Sequence, residues 1–207
     1  MNLLDSKKGT IEISRGDQTW CVASDKVIMA NLVNLSGLTK DDYYLEIGTC
    51  RGKSLTAIHQ WNKKVKIISI DPAPKKDCWR HYKGDPRVRI MKQKSSDAFK
   101  VLRSEGVKPS CVYIDGDHSK KWALHDIRHY WEIWDGKGFF GGHDYTRARE
   151  KGWGVMEAVR EYFELPNDCV INRRFRVKTG VMHICDTFWF YIHDEQMTKY
   201  KEYLDDL

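Results

Sequence analysis

"YYLEIGTCRGKS", residues 43–54, is the stretch that decides the fold. An apolar run ends at an acid, Glu46, and is followed by two glycines, Gly48 and Gly52, and by the hydroxyl of Ser54. Glycine adopts turn conformations that other residues avoid, and it lets the backbone approach a ligand closely. A buried strand that stops at such a turn, with a helix starting behind it, is typical of the ligand-binding edge of an α/β sheet.

Short apolar runs alternate with helical patterns along the rest of the chain. The predicted strands are 43–48, 66–71, 88–93, 111–115, 138–142, 169–172 and an interrupted run over 181–192. The predicted helices are 24–35, 54–62, 96–106, 121–134 and a stripe from 155 to 163. Several strands are continuously apolar, as a sheet covered on both faces requires. The pattern predicts an α/β, Rossmann-like fold: a doubly wound, mostly parallel seven-stranded sheet with helices on both faces and an antiparallel edge hairpin.

The 207 residues suit one compact core with a short extension. We predict an N-terminal extension over residues 1–40, whose helix packs on the cofactor edge, and a main domain over residues 41–207. The late stretches "VINRRF" and "VMHICDTFWFYIH" have no helix between them and predict the antiparallel pair. The aromatic "FWFYIH" is the expected edge strand, which could pair with a second subunit in a homodimer.

Composition narrows the partners and the location. The net charge is +6, but lysines and arginines are spread in small groups, so a nucleic-acid partner is not expected. The six cysteines include no C-x-x-C pair, which favours free thiols in a reducing cytoplasm. No segment approaches the ~20 apolar residues of a membrane span, so we expect a cytoplasmic protein without a membrane partner.

The glycine turn and a later acid predict an adenosine-containing ligand. The pyrophosphate fingerprint G-x-G-x-x-G would need glycines where Cys50 and Lys53 stand, which disfavours an NAD-dependent oxidoreductase. Asp71 ends the second predicted strand nineteen residues after Gly52, close to the ~20-residue offset at which an acid reaches ribose hydroxyls. The alternative is that Asp71 only caps the turn before Pro72.

Four segments in this order, "YLEIGTCRGKS", "IISIDP", "VYIDGDHS" and "GGHDY", resemble the class I methyltransferases that bind S-adenosylmethionine. More narrowly, they resemble small-molecule O-methyltransferases of the catechol and macrolide-sugar type, over roughly residues 40–192. The resemblance implies a glycine turn that faces the methionine part, an acid at the ribose and a polar pair at the adenine. The cofactor-binding residues that it implies are Glu46, Gly48, Thr49, Gly52, Ser54, Asp71, Ser96, Asp97 and Asp115.

Two apolar strands end in acids and imidazoles, and these should face one cleft because neighbouring strand ends lie side by side. Asp115 and His118 follow one strand, and His143 and Asp144 follow the next. Two carboxylates can hold Mg²⁺, whose charge lowers the pKa of a bound hydroxyl, and an imidazole can accept the proton. Asp115 and Asp144 are therefore the candidate metal ligands, with His118 or His143 as the base.

The resemblance breaks at the third metal ligand. The family places an Asn or Asp directly after the second acid, and here that residue is Tyr145. Tyr145 could orient the substrate, Asp117 or water could complete the shell, or a histidine could act without metal. Metal-assisted and metal-free reactions both remain open at this point.

Two tryptophans and a basic segment flank these motifs. Trp79 could stack on adenine and Trp153 could wall the acceptor pocket, although each could equally be a packing residue. Arg147 and Arg149, in a glycine-flanked segment, suggest a lid that selects an acidic or polyhydroxylated acceptor.

The predicted function is transfer of a methyl group from S-adenosylmethionine to a hydroxyl of a small polar acceptor, sugar-like or catechol-like. Mg²⁺ is the second cofactor if the reaction is metal-assisted. The alternatives are a module that binds S-adenosylmethionine without turnover and an NAD-dependent oxidoreductase.

Overall fold

The computed structural model describes residues 10–15, 18–145, 151–165, 181–184, 188–193, 198 and 200–203. Its elements in chain order are β1 (Thr10–Arg15), β2 (Gln18–Ala23), α1 (Ser24–Leu35), β3 (Tyr43–Ile47), α2 (Lys53–Trp61), β4 (Lys66–Ile70), α3 (Lys76–Tyr82), β5 (Val88–Met91), α4 (Ser95–Ser104), β6 (Cys111–Ile114), α5 (Lys120–Ile133), β7 (Phe140–Gly142), α6 (Val155–Tyr162), β8 (Val181–Ile184) and β9 (Phe188–Tyr191).

Seven of these strands form one sheet in the order β5-β4-β3-β6-β7-β9-β8. The first five in this order are parallel to one another, and β9 runs antiparallel to both of its neighbours, β7 and β8. This confirms the predicted α/β fold with its antiparallel edge pair. The chain order reverses between β3 and β6, and in such sheets ligands bind outside the carboxyl ends of the strands at that point.

Helices cover both faces because side chains alternate across each strand. On β3, Leu45 and Ile47 face a core shared with α4, α5 and α6. Tyr44, between them, faces a second core built with α1 and α2. The continuous apolar runs in the sequence are explained by this two-sided burial.

An N-terminal hairpin that we did not predict precedes α1. Strands β1 and β2 pair antiparallel; β1 packs against α1 and α2, and β2 packs against α1. The buried Arg15 donates hydrogen bonds to the backbone oxygen of Arg51 (2.8 Å) and to the carboxylate of Asp77 (2.9 Å). The hairpin is thereby tied to the loop of the glycine turn and to α3. The domain boundary after residue 40 stays a prediction.

The antiparallel pair forms inside "VMHICDTFWFYIH", between β8 and β9, whereas the predicted strand 169–172 lies outside the described residues. The prediction that the aromatic strand is an edge strand is wrong. Strand β9 lies between β7 and β8, because β8 folds back and pairs with its outer side. A homodimer therefore stays a prediction without this edge to support it. None of the described helices is long and apolar enough to span a membrane.

Candidate active site

A cleft of about 410 Å³ opens at the carboxyl edge of the parallel strands. The ends of β3 and β4, at Ile47 and Ile70, form its apolar floor, and Ser95, Ser96 and Trp122 contribute to its walls. Its volume lies within the range of pockets that bind cofactors, roughly 300–1,000 Å³.

Gly48 lies where the two halves of the sheet meet. Its φ of +97° is in the region that favours glycine, and a Cβ added there would overlap the backbone carbonyl of Asp115. The Gly48 N–H donates to the Ile70 oxygen at 2.8 Å, and the Asp115 N–H donates to the Ile47 oxygen at 2.8 Å. The turn after β3 is thus fixed against the ends of β4 and β6.

Gly52 ends the turn and starts α2. It is left-handed, with φ +71°, and no side chain caps the helix. A Cβ at this position would collide with the side chain of Cys78. An uncapped helix N-terminus can bind an anionic group such as a carboxylate.

A buried polar network lies beneath the turn. The Ser69 hydroxyl donates to the carboxylate of Glu46 (2.6 Å), and the Thr49 hydroxyl is 2.6 Å from the Ser69 hydroxyl. Burial raises the pKa of Glu46 to about 7, although hydrogen bonds from Ser54 and Ser69 partly oppose the shift. Three predicted cofactor residues, Glu46, Thr49 and Ser54, are therefore buried, and their part in cofactor binding stays a prediction.

Replacing Glu46 by glutamine should change how stability depends on pH. Between the ordinary pKa near 4.5 and the folded value of about 7, the unfolded chain releases a proton that the folded chain keeps. The wild type therefore loses stability as pH rises through this window, by about 3 kcal/mol for a shift of this size. The variant lacks this loss.

Urea unfolding at pH 4.5 and pH 8 measures the difference between variant and wild type. We expect the variant to gain stability relative to the wild type as pH rises. A difference that is independent of pH would contradict the assigned shift.

Asp71 joins the loop after β3 to the loop after β4 at the rim of the cleft. One carboxylate oxygen accepts the Cys50 N–H and the other accepts the Ala73 N–H, both at 2.7 Å. The second of these bonds is the turn cap that the sequence left as an alternative. Each carboxylate oxygen keeps a further lone pair, so the cap does not prevent a bond from ribose.

Of the polar pair predicted after β5, only Ser96 lines the cleft. Asp97 is exposed, and its carboxylate is 3.3 Å from the Lys100 amine. Trp79 contacts the Lys92 amine, which lies 3.4 Å from its ring centroid, whereas Trp122 lines the cleft.

Sequence reasoning missed Asp126, which also lines the cleft. Its side chain is almost fully buried, and it accepts a hydrogen bond from the Ser95 hydroxyl at 2.6 Å. An available signal was an acid on the apolar stripe of a helix, between Ala123 and Ile127. A buried acid without an obvious partner in the sequence indicates a polar site in the fold.

An acid–imidazole cluster, defined as Asp115, His118, His143 and Asp144, lies at the neighbouring ends of β6 and β7. His118 Nε2 is 2.8 Å from Asp144 Oδ2 and 3.9 Å from Asp115 Oδ1. His143 Nδ1 is 3.2 Å from Asp144 Oδ2 and 3.8 Å from Asp115 Oδ1. The structure thus brings together the four residues that the sequence predicted to share one site.

The pKa values of the two carboxylates in this cluster shift in opposite directions. Burial raises the pKa of Asp115. Burial also opposes ionisation of Asp144, but hydrogen bonds from His118 and His143 outweigh it and hold the pKa of Asp144 below its ordinary value. The same hydrogen bond to Asp144 raises the pKa of His118.

The residues suggested for the third ligand position lie elsewhere. Tyr145 is buried in the apolar core that also contains Met156. Asp117 is exposed, and its carboxylate accepts the Ser119 N–H at 2.8 Å. Within the described part of the chain, the group with metal-ligand spacing is Asp115, His118 and Asp144, whose ligand atoms all lie within 4.8 Å of one another.

Trp153 supports the cluster. Its ring stacks on His118, with centroids 4.1 Å apart and planes at 19°. The neighbouring Gly154 N–H donates to the backbone oxygen of His118 at 2.8 Å. The predicted lid residues Arg147 and Arg149 lie outside the described residues.

Comparison with known proteins identifies proteins that share this fold. A family model described as a methyltransferase domain matches residues 45–145. Uncharacterized protein R132 of Acanthamoeba polyphaga mimivirus is 32% identical over 148 residues. That match covers 65% of this chain and 64% of the relative, so the chain spans less than two thirds of the curated relative that it matches.

Solved structures of methyltransferases share the fold at low identity. The O-methyltransferase from Bacillus cereus in complex with S-adenosylhomocysteine is 17% identical, with a TM-score of 0.59 over 80% of this chain and 78% of that one. MycE from the mycinamycin biosynthetic pathway, solved with Mg and S-adenosylhomocysteine, is 16% identical, with a TM-score of 0.51 over 73% of this chain and 45% of that one.

Residues 45–145 match a methyltransferase domain, and the fold of the chain is that of the class I S-adenosylmethionine-dependent methyltransferases. The residues that match the methyltransferase domain run from β3 to Tyr145 and include both the cleft and the acid–imidazole cluster.

Proposed function

We propose that this protein transfers a methyl group from S-adenosylmethionine to a hydroxyl of a small polar acceptor, either sugar-like or catechol-like. The observation that carries the proposal is that the cleft and the acid–imidazole cluster lie next to each other. A nucleoside-sized cleft and the acid–imidazole cluster meet where Gly48 packs against the backbone of Asp115. A methyl donor bound in the cleft would direct its methyl group at an oxygen held by the acid–imidazole cluster.

The cleft suits the three parts of the cofactor. The turn from Gly48 to Gly52, with the uncapped start of α2, would receive the carboxylate of the methionine part. The carboxylate of Asp71 would accept hydrogen bonds from the ribose. The adenine would lie toward Ser96, where Trp122 and Asp126 also line the cleft.

The acid–imidazole cluster suits activation of a hydroxyl. Methyl transfer requires an oxygen that loses its proton, and an imidazole with a pKa near neutral can accept it. His118 and His143 both face the carboxylates of Asp115 and Asp144, which would hold the protonated ring in place.

The donor set also fits a divalent cation, because two carboxylates and an imidazole nitrogen converge within metal-ligand spacing. A cation held by Asp115 and Asp144 would bind the acceptor oxygen and lower its pKa. The Mg present in the MycE structure supports this reading by analogy of fold.

Two measurements test the function. Calorimetric titration with S-adenosylhomocysteine and with NAD⁺ should show binding of the first and not of the second. Formation of S-adenosylhomocysteine from S-adenosylmethionine should then be measured against a panel of nucleotide sugars, glycosides and catechols, with and without a divalent cation. Cofactor binding without turnover on any acceptor would favour the non-catalytic module, and binding of NAD⁺ alone would favour the oxidoreductase.

Replacing Asp71 by asparagine should weaken cofactor binding by about 10- to 100-fold, since hydrogen bonds to a charged group contribute roughly 1.5–3 kcal/mol. The affinity for S-adenosylhomocysteine and for its analogue without the ribose 2′-hydroxyl should be measured by calorimetry. The wild type should prefer the complete ligand, and the variant should lose most of that preference.

Exposed Glu105 provides a matched control, because Glu105→Gln changes a surface pair with Arg89 and should leave both affinities unchanged. An Asp71 variant that binds both ligands more weakly by the same factor would show that Asp71 acts only by holding the Cys50 and Ala73 loops.

A further inference from the structure

We infer that His118 is a metal ligand, and that Asp115, His118 and Asp144 form a site for a first-row transition metal ion such as Mn²⁺ or Fe²⁺ in preference to Mg²⁺. This inference rests on the proposed function for the position of the site and goes beyond it in the ligand set and the kind of metal.

The spacing of the three groups suits one ion. Ligands about 2.1 Å from a common metal lie roughly 3–3.5 Å from their neighbours in tetrahedral or octahedral geometry. His118 Nε2 is 2.8 Å from one acid and 3.9 Å from the other, and the ligand atoms of the three residues all lie within 4.8 Å of one another. Small adjustments of side chains would bring all three to one ion.

The imidazole of His118 is held in position for this role. The Trp153 ring stacks on it at 4.1 Å, and the backbone of His118 accepts the Gly154 N–H. A Cβ at Gly154 would overlap the backbone of Lys120, so the segment that carries Trp153 lies directly against the start of α5. Support of a ligating histidine by its surroundings is a common property of metal sites.

The nitrogen ligand determines which metals suit the site. Mg²⁺ is a hard cation that prefers oxygen ligands throughout its shell, whereas imidazole favours first-row transition metals. Tyr145 stands where the resemblance expects an oxygen ligand, and its side chain is buried in the core. The site thus exchanges one carboxylate or amide oxygen for an imidazole nitrogen.

The assignment also separates the two histidines. If His118 binds the metal, its Nε2 is not available to accept a proton. His143 Nδ1, which is 3.2 Å from Asp144 and 3.8 Å from Asp115, is then the base of the proposed reaction.

The test uses purified, tag-free full-length chain after chelation and dialysis, with no cofactor and no acceptor. Mn²⁺ and Mg²⁺ are titrated by calorimetry, and bound Mn²⁺ is examined by pulsed electron paramagnetic resonance for coupling to a nitrogen nucleus. We expect Mn²⁺ to bind at least about 10-fold more tightly than Mg²⁺. We also expect a nitrogen coupling on bound Mn²⁺.

Two variants complete the design. His118→Asp restores an all-oxygen set, so it should lose the nitrogen coupling and lower the ratio of Mn²⁺ to Mg²⁺ affinity. His81→Gln removes an exposed imidazole and should behave as the wild type. Circular dichroism and binding of S-adenosylhomocysteine establish that each variant is folded.

Three results would overturn the inference: no binding of either ion, equal or tighter binding of Mg²⁺, or a nitrogen coupling that survives in His118→Asp. Absence of selective Mn²⁺ binding, together with methyl transfer that continues after complete chelation, would overturn the inference and leave the proposed function standing. Selective Mn²⁺ binding through His118, without turnover on any acceptor, would support the inference and overturn the proposed function.

Discussion

Replacing Gly48 by alanine should lower the free energy of unfolding by about 3 kcal/mol or more and abolish measurable cofactor binding. The φ of +97° is unfavourable for any residue with a Cβ, and at this position the added atom would overlap the backbone carbonyl of Asp115. Backbone cannot move aside as a flexible side chain can. The ends of β3 and β6 must therefore separate, and that separation distorts the floor of the cleft and the position of the acid–imidazole cluster together.

Gly84 supplies a matched control for backbone strain. It has a φ of +88°, but a Cβ there would meet no atom within 4 Å. Gly84→Ala should therefore lower the free energy of unfolding only by the cost of a positive φ in a residue with a Cβ, about 1–2 kcal/mol. Its affinity for S-adenosylhomocysteine should be unchanged. Urea unfolding and calorimetry measure both effects. Equal losses of stability in the two variants would show that the contact with Asp115 is not tight.

Replacing Asp144 by asparagine should reduce turnover by about 10²- to 10⁴-fold, the usual contribution of a group that supports proton transfer. The carboxylate contacts both His118 and His143, and asparagine would remove the negative charge that these rings face. Asp144 has a φ of +57°, a conformation that asparagine tolerates better than most residues, so the backbone should be retained. The loss should therefore appear in kcat.

Single-turnover kinetics with an acceptor found by the screen, together with calorimetry, measures this effect. Affinity for S-adenosylhomocysteine should stay within about 3-fold of the wild type, since Asp144 does not line the cofactor cleft. Asp41→Asn, an exposed carboxylate before β3, is the matched control and should keep full activity. Parallel losses of cofactor affinity and turnover in Asp144→Asn would instead indicate a structural role.

Much of the fold could be predicted from the sequence because the spacing of apolar residues matches the burial that each strand and helix has in the structure. Mostly apolar runs at residues 67–70 and 111–114 indicate a sheet covered on both faces, and the helical stripe of 121–134 indicates a partner on one side. The N-terminal hairpin was missed, although Ile11 and Ile13 alternate with polar residues ahead of Gly16 and Asp17, residue types that are common in turns. The helix over 76–82 was also missed, because it is short and carries little apolar pattern.

The amino-acid sequence by itself determined the layered α/β fold, the glycine turn after the first parallel strand, and the meeting of two acids and two histidines. These follow from local rules: glycine allows the turn, apolar runs are buried, and parallel strand ends share one edge. Only the tertiary structure decided which predicted residues line the cleft and which do not. Glu46 and Thr49 are buried at the turn, whereas Asp126, from a helix distant in sequence, lines the cleft.

Tertiary structure also decided the position of the metal-ligand group. The side chains of two consecutive residues lie in different places: Tyr145 is in the apolar core, and Asp144 is in the acid–imidazole cluster. In the proposed metal site, His118, from the loop after the adjacent strand, takes the ligand position that Tyr145 does not supply. Sequence spacing cannot show this, because the distance between two side chains at a sheet edge depends on strand order and on the direction of each loop.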